Sequence, residues 1–465
     1  MQNKKQDKLE IFERVSVPRA LLVMALPTIV SQLITLIYNI ADTWYIGQTN
    51  NPYMVGACSL TATIFLMIST LSNLFGVGGG NLVVQLIGRR DTDEAKRVAS
   101  LCLVMAGGSA LLFSLTCLLA MDPLLRLLGA SENTIGYARQ YLLLVVVAGG
   151  LPTVLSNTMS TLLRNVGYSR EAALGLSVGG LLNMLLDPLF MFVLLPDGMQ
   201  VLGAAIATLL SNIISLIYYI VMYRRVRHVT VLDLPRRIER IRGESMRAVF
   251  SVGLPAAASL LFYDLCNMVI NTLSASHGDL ELAAIGIVLK VERLPLNIGI
   301  GICLGMVPLV AYNFAAKNRQ RMMAFFRTAR AAGLVISLVC VALYRFFAPW
   351  IIRAFIADEA TVQLGTAFLQ ARCFATPLMF LSFHMVHFMQ SVKRGGISFW
   401  LAFIRQICLN IPLLFLLNAL YGMDGIIWTQ VTADALNVIV SYIIFARAKQ
   451  GLLAEASPDQ PAAAR

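Results

Sequence analysis

The chain has 465 residues, of which 58% are hydrophobic and only 13% are charged, whereas soluble domains carry about 25% charged residues. A mean hydropathy of +0.73 excludes an ordinary soluble protein and predicts a polytopic membrane protein. The net charge of +12 would suit nucleic-acid binding, but the basic residues lie mainly between apolar stretches, where membrane topology explains them better.

Twelve apolar stretches are long enough to cross a bilayer, which takes about 20 residues in a helix. In chain order they are 20–46, 54–87, 98–120, 138–163, 172–195, 201–223, 248–275, 283–314, 329–348, 366–390, 397–419 and 425–446. The second and the eighth are too long for a straight perpendicular span. We expect them to tilt, to bend near their glycine and proline residues, or to extend into the cytoplasm.

Lysine and arginine concentrate in the segments that this topology places on one side of the membrane. They occur in an N-terminal arm, 1–19, in a linker, 224–247, and around 89–97, 317–330 and 393–394. Cytoplasmic loops carry such an excess, so we expect a plasma (inner) membrane protein with both termini in the cytoplasm. Anionic lipid headgroups, rather than nucleic acid, are the expected partners of these charges, and the chain is expected to be monomeric.

The chain matches itself at a shift of about 228 residues. The segment LPTIVSQLITLIYNIADT from Leu26 aligns with LPAAASLLFYDLCNMVINT from Leu254. Further along, Asn183 aligns with Asn410, and Gly203 with Gly425. These matches keep their order along the chain, which indicates a duplication.

A duplicated unit of six spans gives both halves the same orientation in the membrane. The expected fold is therefore an all-α membrane protein with twelve transmembrane helices in two six-helix bundles, related by a pseudo-two-fold axis along the membrane normal. The bundles are predicted at 20–223 and 248–446, joined by the basic linker 224–247 and followed by a cytoplasmic tail, 447–465.

Six short segments follow one another in a characteristic order along the spans. They are LPTIVSQLITLIYNIADTWYIG, QLIGRRDTDEAKR, LLRNVGYSR, LNMLLDPLFMF, GAAIATLLSN and PLVAYNFAAKNRQRM. From Val17 to Ala446 the sequence resembles the multidrug and toxic compound extrusion (MATE) transporters. The resemblance implies a secondary active transporter without a cofactor, which exports organic cationic or amphipathic molecules in exchange for H+ or Na+ by alternating access.

One group of polar residues is expected at a similar depth in the first half. Asp42 lies in the last turn of an outward-running span, where the helix dipole disfavours an anion; the alternative is an interfacial carboxylate that faces the headgroups. Asp187 and Asn183 are four residues apart on the fifth span, and Thr208 lies two turns into the sixth. These oxygen ligands suit Na+, and two carboxylates at close range can also share a proton. The resemblance places the ion site of the family on the same four residues.

The second half lacks both carboxylates at the matching positions. Asp42 aligns with Ile270 and Asp187 with Leu414, whereas Asn183 keeps its counterpart. A pair needed only to hold helices together would be expected in both halves. The sequence therefore predicts a single coupling site, in the first half.

Other polar residues inside the spans are weaker candidates. Pro27 can mark either a bend that switches during transport or a static kink. The charges of Lys290, Glu292 and Arg293 are expected to neutralise one another. A further set comprises expected lining residues of a substrate cavity, each with ordinary structural hydrogen bonding, charge pairing or packing as the alternative: Tyr141, Asn157, Asp264 and His384. Metal binding by His384 with His387 lacks a third ligand in the sequence.

Three other functions are alternatives to an ion-coupled carrier. The chain has no GxxxxGK[ST] motif, so it is not expected to hydrolyse ATP, although a permease with an ATPase partner stays open. A membrane enzyme would need convergent nucleophile, base or metal residues. A flippase for a lipid-linked or amphipathic metabolite would call for a cationic cavity, whereas the embedded charges here are expected to be more acidic than basic.

Overall fold

A computed structural model of the chain describes residues 9–49, 51–234 and 242–455, without the side chains of 279, 453 and 454. The predicted arm 1–19, linker 224–247 and tail 447–465 therefore lie partly outside the described residues, at 1–8, 235–241 and 456–465. Every regular element in the described ranges is helical, which confirms the predicted all-α class.

Eight α-helices form the first half of the chain, together with a one-turn helical stretch at residues 9–13. They are α1 (Val17–Gly47), α2 (Pro52–Gly88), α3 (Thr92–Leu119), α4 (Met121–Leu127), α5 (Ile135–Leu142), α6 (Gly150–Asn165), α7 (Ser169–Pro188) and α8 (Gln200–Val226). Two π-helical segments, Leu143–Ala148 and Leu189–Leu194, continue α5 and α7. The short helix α4 was not predicted.

Eight more helices follow the linker. They are α9 (Gly243–Ala275), α10 (Asp279–Ala315), α11 (Arg319–Arg353), α12 (Glu359–Arg372), α13 (Ala375–Ser391), α14 (Gly395–Phe403), α15 (Ile411–Tyr421) and α16 (Met423–Glu455). A third π-helical segment, Ile404–Asn410, joins α14 to α15. The helices α2 and α10 are each continuous over 37 residues, so neither helix is interrupted at the glycines or prolines where bends are expected.

Two of the twelve predicted spans are broken. The fourth bends by 47° between Ile135–Ala148 and Gly150–Asn165, and the tenth bends by 48° between Glu359–Arg372 and Ala375–Ser391. Ten other helices are long and apolar enough to cross a membrane, and each bent pair can supply one further span, which gives up to twelve in the described part of the chain.

The chain forms two compact units. The first contains the residues up to Arg14 and Val30–Ala257, and the second contains Val15–Ile29 and the residues from Ala258 onward. Besides the boundary after Arg14, which precedes α1, two boundaries lie within helices, two residues after Pro27 in α1 and two residues after Pro255 in α9. The two boundaries are 228 residues apart, which is the shift of the sequence repeat.

Each unit has its own apolar core. In the first unit, α2, α3, α6 and α8 bury one extended cluster that includes Phe75, Cys102, Leu162 and Tyr219. In the second, α9, α10, α11 and α12 bury another, which includes Ile285, Tyr344 and Leu369. Because many other apolar side chains stay exposed, the outer helix surfaces suit contact with lipid rather than water.

The turns between long helices repeat the same backbone geometry in both halves. Arg90, between α2 and α3, has a φ of 64°, and Lys317, between α10 and α11, has a φ of 61°. The next residue then caps the following helix: Asp91 Oδ1 accepts from the amide of Glu94 at 3.2 Å, and Asn318 Oδ1 accepts from that of Arg321 at 3.1 Å. These pairs are 227 residues apart, within one residue of the shift of the sequence repeat, so the duplication is visible in local structure.

Glycine contacts also recur between the fifth and sixth spans of each half. A Cβ added to Gly203 would lie 2.8 Å from the carbonyl oxygen of Phe190, and one added to Gly425 would overlap that of Leu417. The helices can approach this closely only because glycine has no side chain at these positions. Since Phe190 and Leu417 also align in the repeat, the same crossing is built twice.

Candidate functional site

The first unit brings Asn183, Asp187 and Thr208 into one hydrogen-bonded group. The Asn183 amide nitrogen donates to Asp187 Oδ1 at 3.2 Å and to Thr208 Oγ1 at 3.3 Å. Asp187 is fully buried and Asn183 is 5% exposed. The pairing follows from sequence: Asn183 and Asp187 are one turn apart on α7, and α8 returns alongside α7 after a short loop.

Asp42 lies close to this group. One turn further along α1, Ile46 packs with Met191 and Ala204 in a buried apolar cluster. Met191 and Ala204 are each four residues from Asp187 and Thr208, respectively. Asp42, Asp187 and Thr208 therefore each lie about one turn from a residue of this cluster, which brings the three side chains near one another. Asp42 also interacts electrostatically with Asp187.

The two carboxylates are incompletely satisfied. Asp187 Oδ2 and Asp42 Oδ1 are buried, and no donor among the described residues reaches either oxygen. A buried carboxylate oxygen without a donor costs free energy unless it binds a proton or a cation. This arrangement is suited to taking up one.

Two tyrosines complete the surroundings. Tyr141, predicted as a cavity residue, packs against the same apolar cluster and interacts electrostatically with Asp42 and Asp187. Tyr38 was not predicted, although it precedes Asp42 by one turn of α1. It lies against Gly180 of α7, where an added Cβ would be 2.9 Å from the tyrosine ring. The i−4 spacing from Asp42 is the sequence signal that would have identified it.

Irregular helix surrounds the group on two sides. After Pro188 the chain continues as the π-helical segment Leu189–Leu194, and after Tyr141 as Leu143–Ala148. Proline lacks an amide donor, and π-helical turns leave backbone groups less regularly paired. Because Pro188 has no amide hydrogen, the backbone carbonyl of Met184 lacks its usual helical donor.

The donor chemistry fits a singly charged ion. The group offers two carboxylates, an amide and a hydroxyl, which suit Na+, and a carboxylate pair in a low-dielectric environment also suits one shared proton. Within the described ranges, no group of three or more His, Cys, Asp or Glu side chains is placed to hold a metal ion.

Two further predicted residues of the early spans lie elsewhere. Asn157 is half-buried on α6, beyond the bend that separates α6 from Tyr141. Pro27 lies within α1, which stays helical through it, in the part of α1 that belongs to the second unit. There, Ala25 and Ile29 approach Gly305 and Gly301 of α10 so closely that glycine is required.

The remaining predicted cavity residues, Asp264 and His384, both belong to the second unit. Asp264 is half-buried on α9 and interacts electrostatically with Arg293. His384 is 1% exposed, lies against the rings of Phe326 and Phe380, and has its Nε2 atom 3.1 Å from the carbonyl oxygen of Phe326. Its environment is that of a packed core residue.

The expected self-neutralisation of Lys290, Glu292 and Arg293 is wrong. Glu292 pairs instead with Arg372 of α12, whose Nε and Nη2 atoms donate to its two oxygens at 2.9 and 3.0 Å. Glu292 also lines a mainly apolar pocket of the second unit with Thr376, Met379 and others. Sequence spacing could not reveal a pair whose members are 80 residues apart.

A second buried ion pair was also missed. Arg405 donates through Nε to Asp434 Oδ1 at 2.6 Å and through Nη2 to Oδ2 at 3.3 Å. The embedded charge of the second unit is therefore balanced rather than predominantly acidic. Asp434 and the polar residues around it on α16 could have indicated this pair from the sequence, because a buried carboxylate in a membrane span needs a cationic partner.

A membrane-spanning helical fold with two similar halves and an embedded carboxylate pair is typical of ion-coupled transporters. The MatE family model matches residues 27–189 and 255–416, once in each half, and the chain belongs to this family. The predicted family is thereby confirmed.

Relatives and solved structures agree with this assignment. The chain is 28% identical over 440 residues to the multidrug export protein MepA of Staphylococcus aureus (strain NCTC 8325 / PS 47), covering 95% of this chain and 96% of MepA. The MepA of Staphylococcus saprophyticus is 27% identical over the same length and share. An outward-facing multidrug resistance MATE transporter of the MOP superfamily shares the fold, with a TM-score of 0.89, 22% identity and coverage of 94% and 97% of the two chains.

Proposed function

We propose that the chain exports organic cationic or amphipathic molecules in exchange for H+ or Na+, with Asp42, Asn183, Asp187 and Thr208 as the coupling site. The observation that carries this proposal is the pair of buried carboxylate oxygens without donors, next to an amide and a hydroxyl. The names of the multidrug export relatives support the substrate class.

The proposed coupling is an exchange at one carboxylate pair. When the pair holds a proton or Na+, one of its two negative charges is compensated, the repulsion between the carboxylates is removed, and the surrounding helices can pack around the site. When the ion leaves, an uncompensated buried charge favours a state in which the site is hydrated. A gradient of that ion then biases the two states and drives export by alternating access.

The repeat halves 20–223 and 248–446 are proposed as the bodies that move. The protein is proposed to lie in a bacterial plasma membrane with both termini in the cytoplasm. The mainly apolar pocket near Glu292, with Met379, Phe380 and Phe383, is proposed to contribute to substrate binding. Flexible thioether and flat aromatic surfaces accept substrates of varied shape.

Transport into everted membrane vesicles, in which the cytoplasmic face of the membrane is outside, tests this function. A pH gradient and a Na+ gradient are imposed separately while export of a fluorescent organic cation is followed. Asp42→Asn and Asp187→Asn should each reduce gradient-driven export at least tenfold, because a neutral amide cannot exchange a proton and binds Na+ poorly.

Asp197→Asn is the matched control, since this carboxylate lies exposed in the loop before α8 and should leave export unchanged. Full gradient-driven export by both site variants, or export that needs ATP and neither gradient, would contradict the proposal.

A further inference from the structure

The second unit contains a buried polar network at the positions that correspond to the coupling site of the first. The Asn410 amide nitrogen donates to Gln430 Oε1 at 3.3 Å, as that of Asn183 donates to Thr208 Oγ1 at 3.3 Å. Asn410 aligns with Asn183 and Gln430 with Thr208 in the repeat. The same helix crossing, set by Gly425 and Gly203, supports each pair.

The second network also contains a carboxylate, although not at the position of Asp187. Leu414 occupies that position and is fully buried, whereas the carboxylate is Asp434, one turn beyond Gln430 on α16. The Gln430 amide nitrogen donates to Asp434 Oδ2. The duplicated site thus retains an amide, a second polar group and an acid.

The two networks differ in how their carboxylates are satisfied. Both oxygens of Asp434 accept from the Arg405 guanidinium, whereas Asp187 Oδ2 and Asp42 Oδ1 have no donor in the part of the chain that the structure describes. Arg405 is 4% exposed, and its guanidinium lies 4.7 Å from the centre of the Phe383 ring. Tyr263 and Cys266 of α9 also lie within electrostatic range of it. The guanidinium of Arg405 is therefore held by several contacts in this structure.

We propose that Arg405 serves as the built-in cation of a second, duplicated ion site, and that its presence restricts ion exchange to the first half. This inference rests on the proposed coupling function. Arginine stays protonated in proteins, so it neutralises Asp434 in every state of the transport cycle. An exchangeable ion at Asp187 and the fixed guanidinium of Arg405 at Asp434 would give a single exchanged ion per cycle.

The number of ions moved per substrate tests the proposal. Purified protein is reconstituted into liposomes, and H+ or Na+ movement is measured together with export of one organic cation. Arg405→Gln should raise the ion-to-substrate ratio twofold, because Asp434 then needs an external cation. Asp434→Asn added to Arg405→Gln should return the ratio to the wild-type value, and Arg405→Lys should keep it there. An unchanged ratio in folded Arg405→Gln would overturn the proposal.

A second measurement covers the case in which Arg405→Gln does not fold. Wild-type protein should bind one Na+ or one proton per chain, counted over the site at Asp187 and the corresponding site at Asp434. The Asp187→Asn variant should lose this bound ion. If Asp187→Asn retains an ion that Asp187→Asn with Asp434→Asn loses, then Asp434 exchanges ions despite Arg405, and the proposal fails. Gradient-driven export by Asp187→Asn would instead contradict the coupling function itself, so the two failures are distinguishable.

Discussion

Individual buried carboxylates take two different roles in this protein. Asp187 and Asp42 keep oxygens without donors, whereas Glu292 and Asp434 each accept bidentate bonds from an arginine. A buried ion pair of the latter kind contributes little net stability, but losing one partner costs about 3–5 kcal/mol. Carboxylates with open acceptor oxygens and carboxylates paired with arginine therefore occur at different residues, and we propose that only the former exchange ions.

Thr208 should tune ion affinity rather than folding. Thr208→Val removes the hydroxyl that accepts from Asn183, and we expect the ion concentration for half-maximal export to rise about tenfold, equivalent to about 1.4 kcal/mol. Thr208→Ser keeps the hydroxyl and should stay within about twofold of wild type. Equal ion dependence in the valine and serine variants would exclude the hydroxyl from the site.

The sequence indicated part of this residue-level arrangement. The i,i+4 spacing of Asn183 and Asp187 within one helix is readable from the chain, and so is the depth of Thr208. The partners of Glu292 and Asp434 are not, because they depend on which faces of distant helices meet. Local charge balance suggested Lys290 and Arg293 as partners of Glu292, but tertiary packing selected Arg372.

At the scale of helices, close crossings depend on single glycines. Gly425→Ala should lower the free energy of unfolding by about 1–3 kcal/mol, because the new Cβ would overlap the backbone oxygen of Leu417. Gly108→Ala on α3 faces open space and should be neutral or stabilising by up to about 1 kcal/mol. Denaturant unfolding in detergent micelles measures both, and equal effects would argue against the crossing.

A buried acid connects the start of α3 to the start of α9. Glu94 Oε1 accepts from the amide of Arg242 at 3.2 Å and from Ser245 Oγ at 2.6 Å. Glu94→Ala should lower the free energy of unfolding by about 1.5–3 kcal/mol, the usual range for hydrogen bonds to a charged group. Asp93→Ala, at an exposed neighbour, should change it by less than about 0.5 kcal/mol in the same unfolding assay. Equal losses would contradict a specific role of Glu94.

Helix positions were more predictable than helix breaks. Apolar length alone located the spans, since a bilayer requires long apolar runs. The bends at Gly149 and at Cys373–Phe374 and the three π-helical segments are harder to locate, because both helix arms remain apolar on either side and glycine or proline, as at Gly149 and Pro188, marks only some of them. Such irregularities arise when neighbouring helices impose a local register.

At the scale of the whole molecule, the distribution of basic residues predicts the orientation. In a cysteine-free background, a membrane-impermeant maleimide should label Asp197→Cys in intact cells, because this loop is expected outside. Arg319→Cys, at the exposed start of α11, should be labelled only after permeabilisation. The opposite pattern would invert the topology and place the carboxylate pair near the cytoplasmic surface.

The duplication organises the molecule as a whole. The family match occurs once in each half, and caps, positive-φ turns and glycine contacts recur at positions that align to within one residue. Sequence comparison of the halves anticipated this symmetry, and it also located the asymmetry in the carboxylates. It did not reveal the arginine that compensates Asp434, because Arg405 aligns with an apolar residue, Val178, in the first half.

Ion movement driven by substrate tests the central claim most directly. Proteoliposomes are loaded with an organic cation and diluted into substrate-free buffer at equal pH and equal Na+ on both sides. We predict that substrate efflux through the wild-type protein drives H+ or Na+ inward, and that Asp187→Asn shows no such ion movement. Substrate efflux without ion movement in the wild type, or equal ion movement in Asp187→Asn, would contradict coupling at the carboxylate pair.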